Sequence, residues 1–542
     1  MPKRDVRKRL IAFYTIFLTL MLLLSARLAY IQIWGHEELS AAAARQHRVR
    51  IEGADARGII YDRNRVPLTG NNQEYVYIIS SRTIAERGTA TLERFGARRI
   101  SNRSRGHEVF TFSAFNPIAH EILRNEYNAF VMKAERRHDN NQVAVHIVGH
   151  LRELEGTGAS GVELAFNDVL AERTRRIYAT ADALGRIIPG IGLSSNIENA
   201  NIGIVTTLDV SLQREVERIL AEEVRNGAIV VLESRTGQVL ASASTPTFNP
   251  NRIRDYIDSD AGELVNKAMQ GEYPPGSIFK IIVAAAALEY NVVGASGNRI
   301  SLNSTFLCTG FEELHGIRIR CLTGGADGHG EITLEDAFAK SCNSAFIQLG
   351  RLTGGRDLLR MCRKFGLGEI ALDGAVNERA GNLTRVEDTS GAGIGNLSIG
   401  QGCLLITPIQ AARMTNIIAN RGMDTGVTLL MDTEQTEQRV ISRQTAEAIE
   451  QMMKTTMVSG TGNNITTSAI SGGKTGSAEA SLNGRPVVHA WFTGYFPVGS
   501  SPEYTIAVFV EDGRSGRGAA VPLFKRVEEY LANRTKTFGQ QN

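Results

Sequence analysis

Apolar positions fall into distinct regimes along the chain. From Leu10 to Ala26, seventeen consecutive positions carry no charge. At about 1.5 Å per residue, a helix of that length nearly crosses a hydrocarbon core of roughly 30 Å. Arg27 can snorkel from its end, and Tyr30 and Trp34 suit an interfacial aromatic belt. Residues 36–205 are polar, Arg-rich and irregular, with short strand-like runs such as Tyr75-Val76-Tyr77-Ile78-Ile79 and no heptad or internal repeat. Next, Ala228–Glu233, the turn Arg235-Thr236-Gly237 and Gln238–Ser242 predict a β-hairpin. Val487–Phe496 and Tyr504–Glu511 predict two further strands, followed by a helix over about Ala520–Asn533. Residues 277–460, between these strand groups, read as mainly helical. An antiparallel sheet drawn from both ends, with helices inserted between, predicts an α+β architecture.

Composition adds scale and topology. The chain has 542 residues, 42% hydrophobic and 22% charged, which excludes disorder and suits two to four domains at about 100–200 residues each. Glycine lacks the Gly-x-y period of a fibrous chain. Of the formal net charge of +3, residues 1–9 hold five cations and one anion, leaving the remainder at −1. A nucleic-acid-binding body is therefore not expected. A basic tail before one apolar helix predicts a cytoplasmic N-terminus and an extracytoplasmic remainder. A cleaved signal peptide fits less well, because the apolar run is long and no small-x-small site follows it.

All five cysteines fall between Cys308 and Cys403, the others being Cys321, Cys342 and Cys362. Outside the cytoplasm a Cys308–Cys321 disulfide and reduced, buried thiols are both open readings. No cysteine spacing reads as a zinc site, and His146 and His150, four apart, lack an evident third ligand. No metal and no cofactor are expected.

Three short motifs carry the candidate chemistry. Pro274-Pro275-Gly276 leads into Ser277-Ile278-Phe279-Lys280 at the start of an apolar, buried-type helix. Lys280 then lies one turn beyond Ser277, where desolvation can turn its amine into a base for the hydroxyl. The capping serine and snorkelling lysine are the bland alternative, and a second Ser-x-x-Lys at Ser471–Lys474 shows how weak the spacing is alone. There, two intervening glycines argue against a helix. Ser341-Cys342-Asn343 offers a hydroxyl to pass a proton and an amide to orient its neighbours. Lys474-Thr475-Gly476-Ser477, in a strand-like segment, can hold an anionic terminus. The charge of Lys474 is also expected to lower the pKa of a nearby Lys280.

Ser-x-x-Lys, Ser-x-Asn and Lys-Thr-Gly, in this order and 64 and 133 residues apart, resemble the motif set of penicillin-binding proteins and serine β-lactamases. Arg57–Asn64, Gly158–Glu163, Thr207-Leu208-Asp209, Leu397–Gly402 and Thr407-Pro408 extend the resemblance to class B penicillin-binding proteins, from about Arg27 to Phe524. The resemblance implies a cytoplasmic tail at 1–9, a transmembrane anchor at 10–31 and a pedestal, or dimerisation-type, domain at 36–205. A transpeptidase domain at 210–535 would follow, an antiparallel sheet with a helical subdomain. It implies a D,D-transpeptidase of the bacterial cell membrane that cross-links peptidoglycan stem peptides and binds β-lactams. Ser277 would attack the D-Ala-D-Ala amide, Lys280 act as base, Ser341 relay the proton and Asn343 position Lys280 and the substrate. Lys474, Thr475, Gly476 and Ser477 would bind the donor, and the N–H groups of Ser277 and Ser477 would form the oxyanion hole.

Two departures are visible: Ile278 after the nucleophile, and a thiol, Cys342, inside the second motif. Residues 36–205 show no glycosyltransferase motif, so the resemblance points to a separate SEDS-type membrane polymerase as partner. A D,D-carboxypeptidase, a β-lactamase or a β-lactam sensor would use the same fold differently. The anchor and pedestal argue against the β-lactamase, and a tail of nine residues argues against the sensor. A non-catalytic scaffold would not require three intact motifs.

Overall fold

The computed structural model describes residues 3–34, 48–51, 56–101, 106–112, 114–152, 156–180, 193–372, 374–434, 436–463, 471–482, 484–497 and 502–539. Two compact units emerge from the chain contacts. One comprises residues 1–56, 73–135 and 173–200; the other comprises 57–72, 136–172 and 201–542. Residues 57–72 and 136–172, inside the segment 36–205, thus group with the C-terminal body.

In the smaller unit the N-terminal helix runs Lys3–Ile33. Its stretch Val6–Ile33 contains an 18-residue window of mean hydropathy 1.9 and is long and apolar enough to cross a membrane. The same unit carries a four-stranded sheet in the order Arg98–Ser101, His107–Phe112, Asn72–Ser80, Phe130–Arg136. Tyr77, Ile79, Phe110 and Phe112 alternate along two of these strands and pack on Ala119 and Leu123 of the helix Pro117–Glu126. Asn116 caps that helix by accepting from the N–H groups of Ile118 and Ala119, and Pro117 follows at its first position.

The larger unit is built on a five-stranded antiparallel sheet. Its strands are β1 (Gly227–Glu233), β2 (Val239–Thr245), β7 (Gly472–Leu482), β8 (Arg485–Phe496) and β9 (Tyr504–Val510), in the spatial order β2-β1-β9-β8-β7. Strands from both ends of the domain therefore meet in one sheet, β1 pairing with β9, as the sequence predicts. Ile229 and Val231 face α1 (Val210–Glu223) and the C-terminal α6 (Val521–Gly539). Ala228, Val230 and Leu232, pointing the other way, join the main core. That core is centred on α2 (Lys280–Glu289), whose residues 280–287 are all buried. Around it lie α3 (Asn343–Thr353), the helix Gly355–Lys364 and α5 (Arg443–Val458), while α4 (Pro408–Ala419) packs on α5 and the sheet. Thr407 and Gln410 close a capping box at the start of α4, with Pro408 in its first turn.

The region between the strand groups is less uniformly helical than its sequence suggests. Two small antiparallel pairs interrupt it: β3 (Thr305–Cys308) with β6 (Gly330–Thr333), and β4 (Phe311–Leu314) with β5 (Ile317–Arg320). The second is a charged hairpin, largely exposed, so a core-directed pattern does not mark it.

Arg57 and Glu163, from two of the resembling segments, meet in a buried ion cluster. Glu163, without exposed surface, accepts from Arg57 Nε at 3.2 Å and Arg137 Nε at 2.5 Å, and meets His138 Nε2 at 3.0 Å. Burial alone would raise its pKa, but Arg137 and His138 hold it well below the ordinary carboxylate value. Other polar groups are tied into the fold: His146 Nε2 lies 2.7 Å from the Glu263 carbonyl, and His150 Nδ1 lies 2.8 Å from Ser160 Oγ.

Candidate active site

Ser277 stands in a single turn of 3-10 helix, Gly276–Phe279, that runs directly into α2. In a 3-10 turn residues i and i+3 eclipse. Lys280 Nζ accordingly lies 3.1 Å from Ser277 Oγ. Gly276 permits this turn. Its φ is +56°, and a Cβ there would sit 2.6 Å from the Ser477 carbonyl oxygen. Its N–H donates to the Gly400 carbonyl at 2.9 Å, and Trp491 Nε1 donates to the Pro274 carbonyl at 3.0 Å. The serine turn is thereby clamped between the Leu397–Gly402 segment and the sheet.

Ser341 precedes α3 with a left-handed φ of +58°, a conformation that costs a non-glycine residue free energy and recurs at functional sites. It directs both its carbonyl and its hydroxyl at Lys280. The Lys280 ammonium donates to Ser341 O at 2.8 Å, Ser341 Oγ at 3.2 Å and Asn343 Oδ1 at 2.8 Å. Asn343 is oriented in turn by the bond from its Nδ2 to the Arg320 carbonyl, 3.0 Å, at the end of β5. The exposed hairpin thus has a share in the site.

Edge strand β7 supplies the third group. Lys474 is wholly buried; its Nζ donates to Ser341 Oγ at 3.1 Å and to the Thr475 carbonyl at 3.1 Å. Thr475 Oγ1 meets Thr461 Oγ1 at 2.5 Å, and exposed Ser477 accepts from the Gly516 N–H at 3.2 Å. A Cβ on Gly476 would lie 3.0 Å from Ile278 Cγ2 and 3.1 Å from the Pro275 carbonyl, so glycine lets β7 approach the serine turn. All eight sequence-predicted positions, from Ser277 to Ser477, lie on these three adjoining segments. Thr461 was not anticipated, and its sequence surroundings carry no motif that would single it out.

Burial lowers the Lys280 pKa to about 8, partly opposed by the thiols of Cys342 and Cys321. Lys474 is lowered as well, by burial first and then by the charge of Lys280. The pair repulsion expected from the sequence thus bears on Lys474. The arrangement offers a hydroxyl beside an amine that sheds its proton near neutral pH, which can make that hydroxyl nucleophilic.

Behind the second motif lies a feature that spacing concealed. The Sγ atoms of Cys308, Cys321 and Cys342 and a ring nitrogen of His329 all lie within 4.8 Å of one another. Cys321 Sγ is 3.7 Å from Cys342 Sγ and 3.6 Å from His329 Nδ1. All five cysteines are free, so the Cys308–Cys321 pair is close but unbonded. Three thiols and an imidazole form a donor set suited to a tetrahedral zinc ion. The four ligands would join the end of β3, the residue after β5, the residue before β6 and the cap of α3. The Cys342 thiol, and the N–H groups of Asn343 and Ser344, lower the Cys321 pKa, while the contact with Cys321 and burial raise Cys342. The clustering of all cysteines after residue 307, with His329 among them, was the available signal.

Residues 227–529 match the family described as the penicillin binding protein transpeptidase domain. The chain belongs to the penicillin-binding protein transpeptidase family. Relatives extend that assignment to class B members through nearly the full length. The peptidoglycan D,D-transpeptidase MrdA of Acinetobacter baumannii is 28% identical, over 97% of this chain and 88% of its own. Penicillin-binding protein PbpB of Mycobacterium tuberculosis is 26% identical, over 96% of this chain and 84% of its own. The fold of this penicillin-binding protein matches that of PBP2 from Helicobacter pylori with a TM-score of 0.72, at 20% identity, over 90% of this chain and 99% of that one. A peptidoglycan synthase complex, solved to show how polymerization and crosslinking are coordinated, matches with a TM-score of 0.69 at 24% identity over 96% of this chain and 97% of that one.

Proposed function

We propose that this class B penicillin-binding protein is a serine D,D-transpeptidase that cross-links peptidoglycan stem peptides through an acyl-enzyme on Ser277. The observation that carries the reading is the convergence of Lys280 Nζ on Ser277 Oγ, Ser341 Oγ and Asn343 Oδ1 within 3.2 Å. Neutral Lys280 takes the Ser277 proton as Oγ attacks the penultimate D-Ala carbonyl. The N–H groups of Ser277 and Ser477 stabilise the oxyanion. Ser341, hydrogen-bonded to both lysines, hands a proton to the departing D-Ala amine. Thr475 and Ser477 bind the donor carboxylate, with Gly476 allowing close approach and Lys474 holding Thr475 and Ser341 in place from beneath. An amine of a neighbouring stem peptide then resolves the acyl-enzyme, and β-lactams trap Ser277 by imitating the donor.

The helix Lys3–Ile33 anchors the protein as a single pass, with its basic tail in the cytoplasm and residues 210–535 acting outside. The region 36–205 serves as pedestal, and a SEDS-type membrane polymerase supplies the glycan strands. Labelling membranes with a fluorescent penicillin, with a Ser277→Ala variant alongside, tests the reading. Label on the wild type alone is expected. No label on either, or equal label on both, overturns it. Turnover of the penicillin at many cycles per second would instead indicate a β-lactamase.

A further inference from the structure

We infer that Cys321 and Cys342 form an oxidation site, at which a hydroperoxide closes a disulfide that switches off acylation of Ser277. The inference rests on the proposed role of Ser277 for its functional consequence, but on geometry alone for its chemistry. The two sulfurs are 3.7 Å apart, so a bond between them, about 2 Å long, requires only a short approach. Both are buried, but Cys321 opens the exposed segment Leu322-Thr323, with Leu322 at 72% exposure. A molecule as small as hydrogen peroxide therefore has a short path to them. Cys362, by contrast, is buried within the helix Gly355–Lys364, and neither it nor exposed Cys403 joins the cluster among the described residues.

The chemistry balances with peroxide as the oxidant. Cys321 sulfur attacks one peroxide oxygen, the O–O bond breaks, and the departing hydroxide takes up the thiol proton as water, leaving a sulfenic acid. Cys342 sulfur then attacks the Cys321 sulfur, the S–O bond breaks, and the second hydroxide leaves as water with the Cys342 proton. Two thiols are oxidised and one peroxide is reduced to two waters. A metal held by all four donors opposes the reaction by occupying the same sulfur lone pairs, so its release accompanies oxidation.

The consequence for the active site follows from the position of Cys342. It stands between Ser341 and Asn343, and those two residues provide Lys280 with three acceptors. Cys342 is also the N-cap of α3, its sulfur accepting from the Ala345 N–H at 3.4 Å. Drawing Cys342 toward Cys321 moves this segment, which is already held in the left-handed conformation at Ser341. The acceptors then leave the positions that align Lys280 with Ser277. Cys342 and Cys321 are in this sense positioning residues.

The test uses the full chain in detergent, exposed to hydrogen peroxide and then to either buffer or dithiothreitol. Peptide mapping after thiol blocking reads the disulfide, and fluorescent-penicillin labelling reads acylation. The expected result is a Cys321–Cys342 cross-linked peptide, a tenfold or greater loss of labelling rate in step with it, and recovery of both with dithiothreitol. In Cys321→Ser, compared with its own untreated sample, peroxide should leave the labelling rate unchanged. Wild-type mapping stands on its own if that variant does not fold. A cross-link without loss of labelling, or loss of labelling with Cys321 and Cys342 unlinked, overturns the inference. If the untreated wild type does not label at all, the Ser277 reading fails, while the mapped cross-link still decides the oxidation chemistry.

Discussion

Lys280 and Lys474 share one acceptor: the Ser341 hydroxyl lies 3.2 Å from the first ammonium and 3.1 Å from the second. Both amines are buried, and among the described residues only Lys280 has further side-chain acceptors, in Asn343 and Ser277. The pair is therefore inequivalent. Lys280 is the base beside the nucleophile, and Lys474 a depressed amine behind it.

The first expectation concerns pH. Burial brings Lys280 down from the ordinary lysine value of 10.5 to about 8. Its neutral, basic form therefore accumulates as pH rises through about 8. Acylation by penicillin should climb about tenfold per pH unit below that value and level off above it. Stability has the same sign: between about 8 and 10.5 the unfolded chain binds the proton that folded Lys280 has lost, so unfolding becomes harder as pH rises. Stopped-flow labelling from pH 6 to 9 checks the rate. A flat profile would contradict the base assignment.

Ser341→Ala removes the shared acceptor. The labelling rate should fall by about 10²-fold or more through loss of proton relay. Lys474 would keep only the Thr475 carbonyl among its present acceptors, and an under-bonded buried donor costs about 1–3 kcal/mol. A lower denaturation midpoint and slower labelling should appear together. Unchanged labelling with a lowered midpoint would leave Ser341 a purely structural role.

Much of this was legible in the linear sequence, for identifiable reasons. The hairpin over residues 227–245 and the strands near the C-terminus declare themselves because their apolar residues run continuously or alternate through a buried sheet. The Ser277–Lys280 contact is local, so spacing alone could predict it. The charged strand Ile317–Arg320 exposes most of its residues and offers no burial pattern, although its last carbonyl orients Asn343. The four-donor cluster joins residues 13, 8 and 13 positions apart in order along the chain, and only the pairing of β3 with β6 brings Cys308 beside Gly330.

Gly276→Ala tests the clamp on the nucleophile turn. An added methyl meets the Ser477 carbonyl at 2.6 Å while φ stays at +56°, so strain and overlap coincide. A stability loss of about 1–3 kcal/mol is expected from the backbone conformation alone. Labelling should slow as well, because relief of the overlap separates β7 from Ser277. Retained wild-type labelling kinetics would show that the turn tolerates such a shift.

Glu163→Gln tests the buried ion cluster apart from the chemistry. Glu163 is the common acceptor for Arg57 Nε and Arg137 Nε and contacts His138. Neutralising it leaves two guanidinium groups facing a weaker partner in a buried setting. Breaking such a buried arrangement costs about 3–5 kcal/mol. The thermal midpoint should fall substantially, whereas the labelling rate of the remaining folded protein should be preserved. A midpoint within a degree of the wild type would show that the cluster is compensated elsewhere.

The last prediction concerns metal. With Cys308, Cys321, Cys342 and His329 gathered within 4.8 Å, protein purified under reducing conditions without chelator should carry about one zinc ion per chain. Elemental analysis of the full chain measures it directly. His329→Ala removes one donor while leaving the Cys321 and Cys342 sulfurs in place, and should reduce the bound metal. Because the four donors span β3, β5, β6 and α3, stripping zinc with a chelator should also lower the unfolding midpoint, and zinc addition should restore it. A metal-to-protein ratio near zero in the reduced wild type, with no midpoint shift on adding zinc, would mean that the cluster is held by thiol contacts and packing alone.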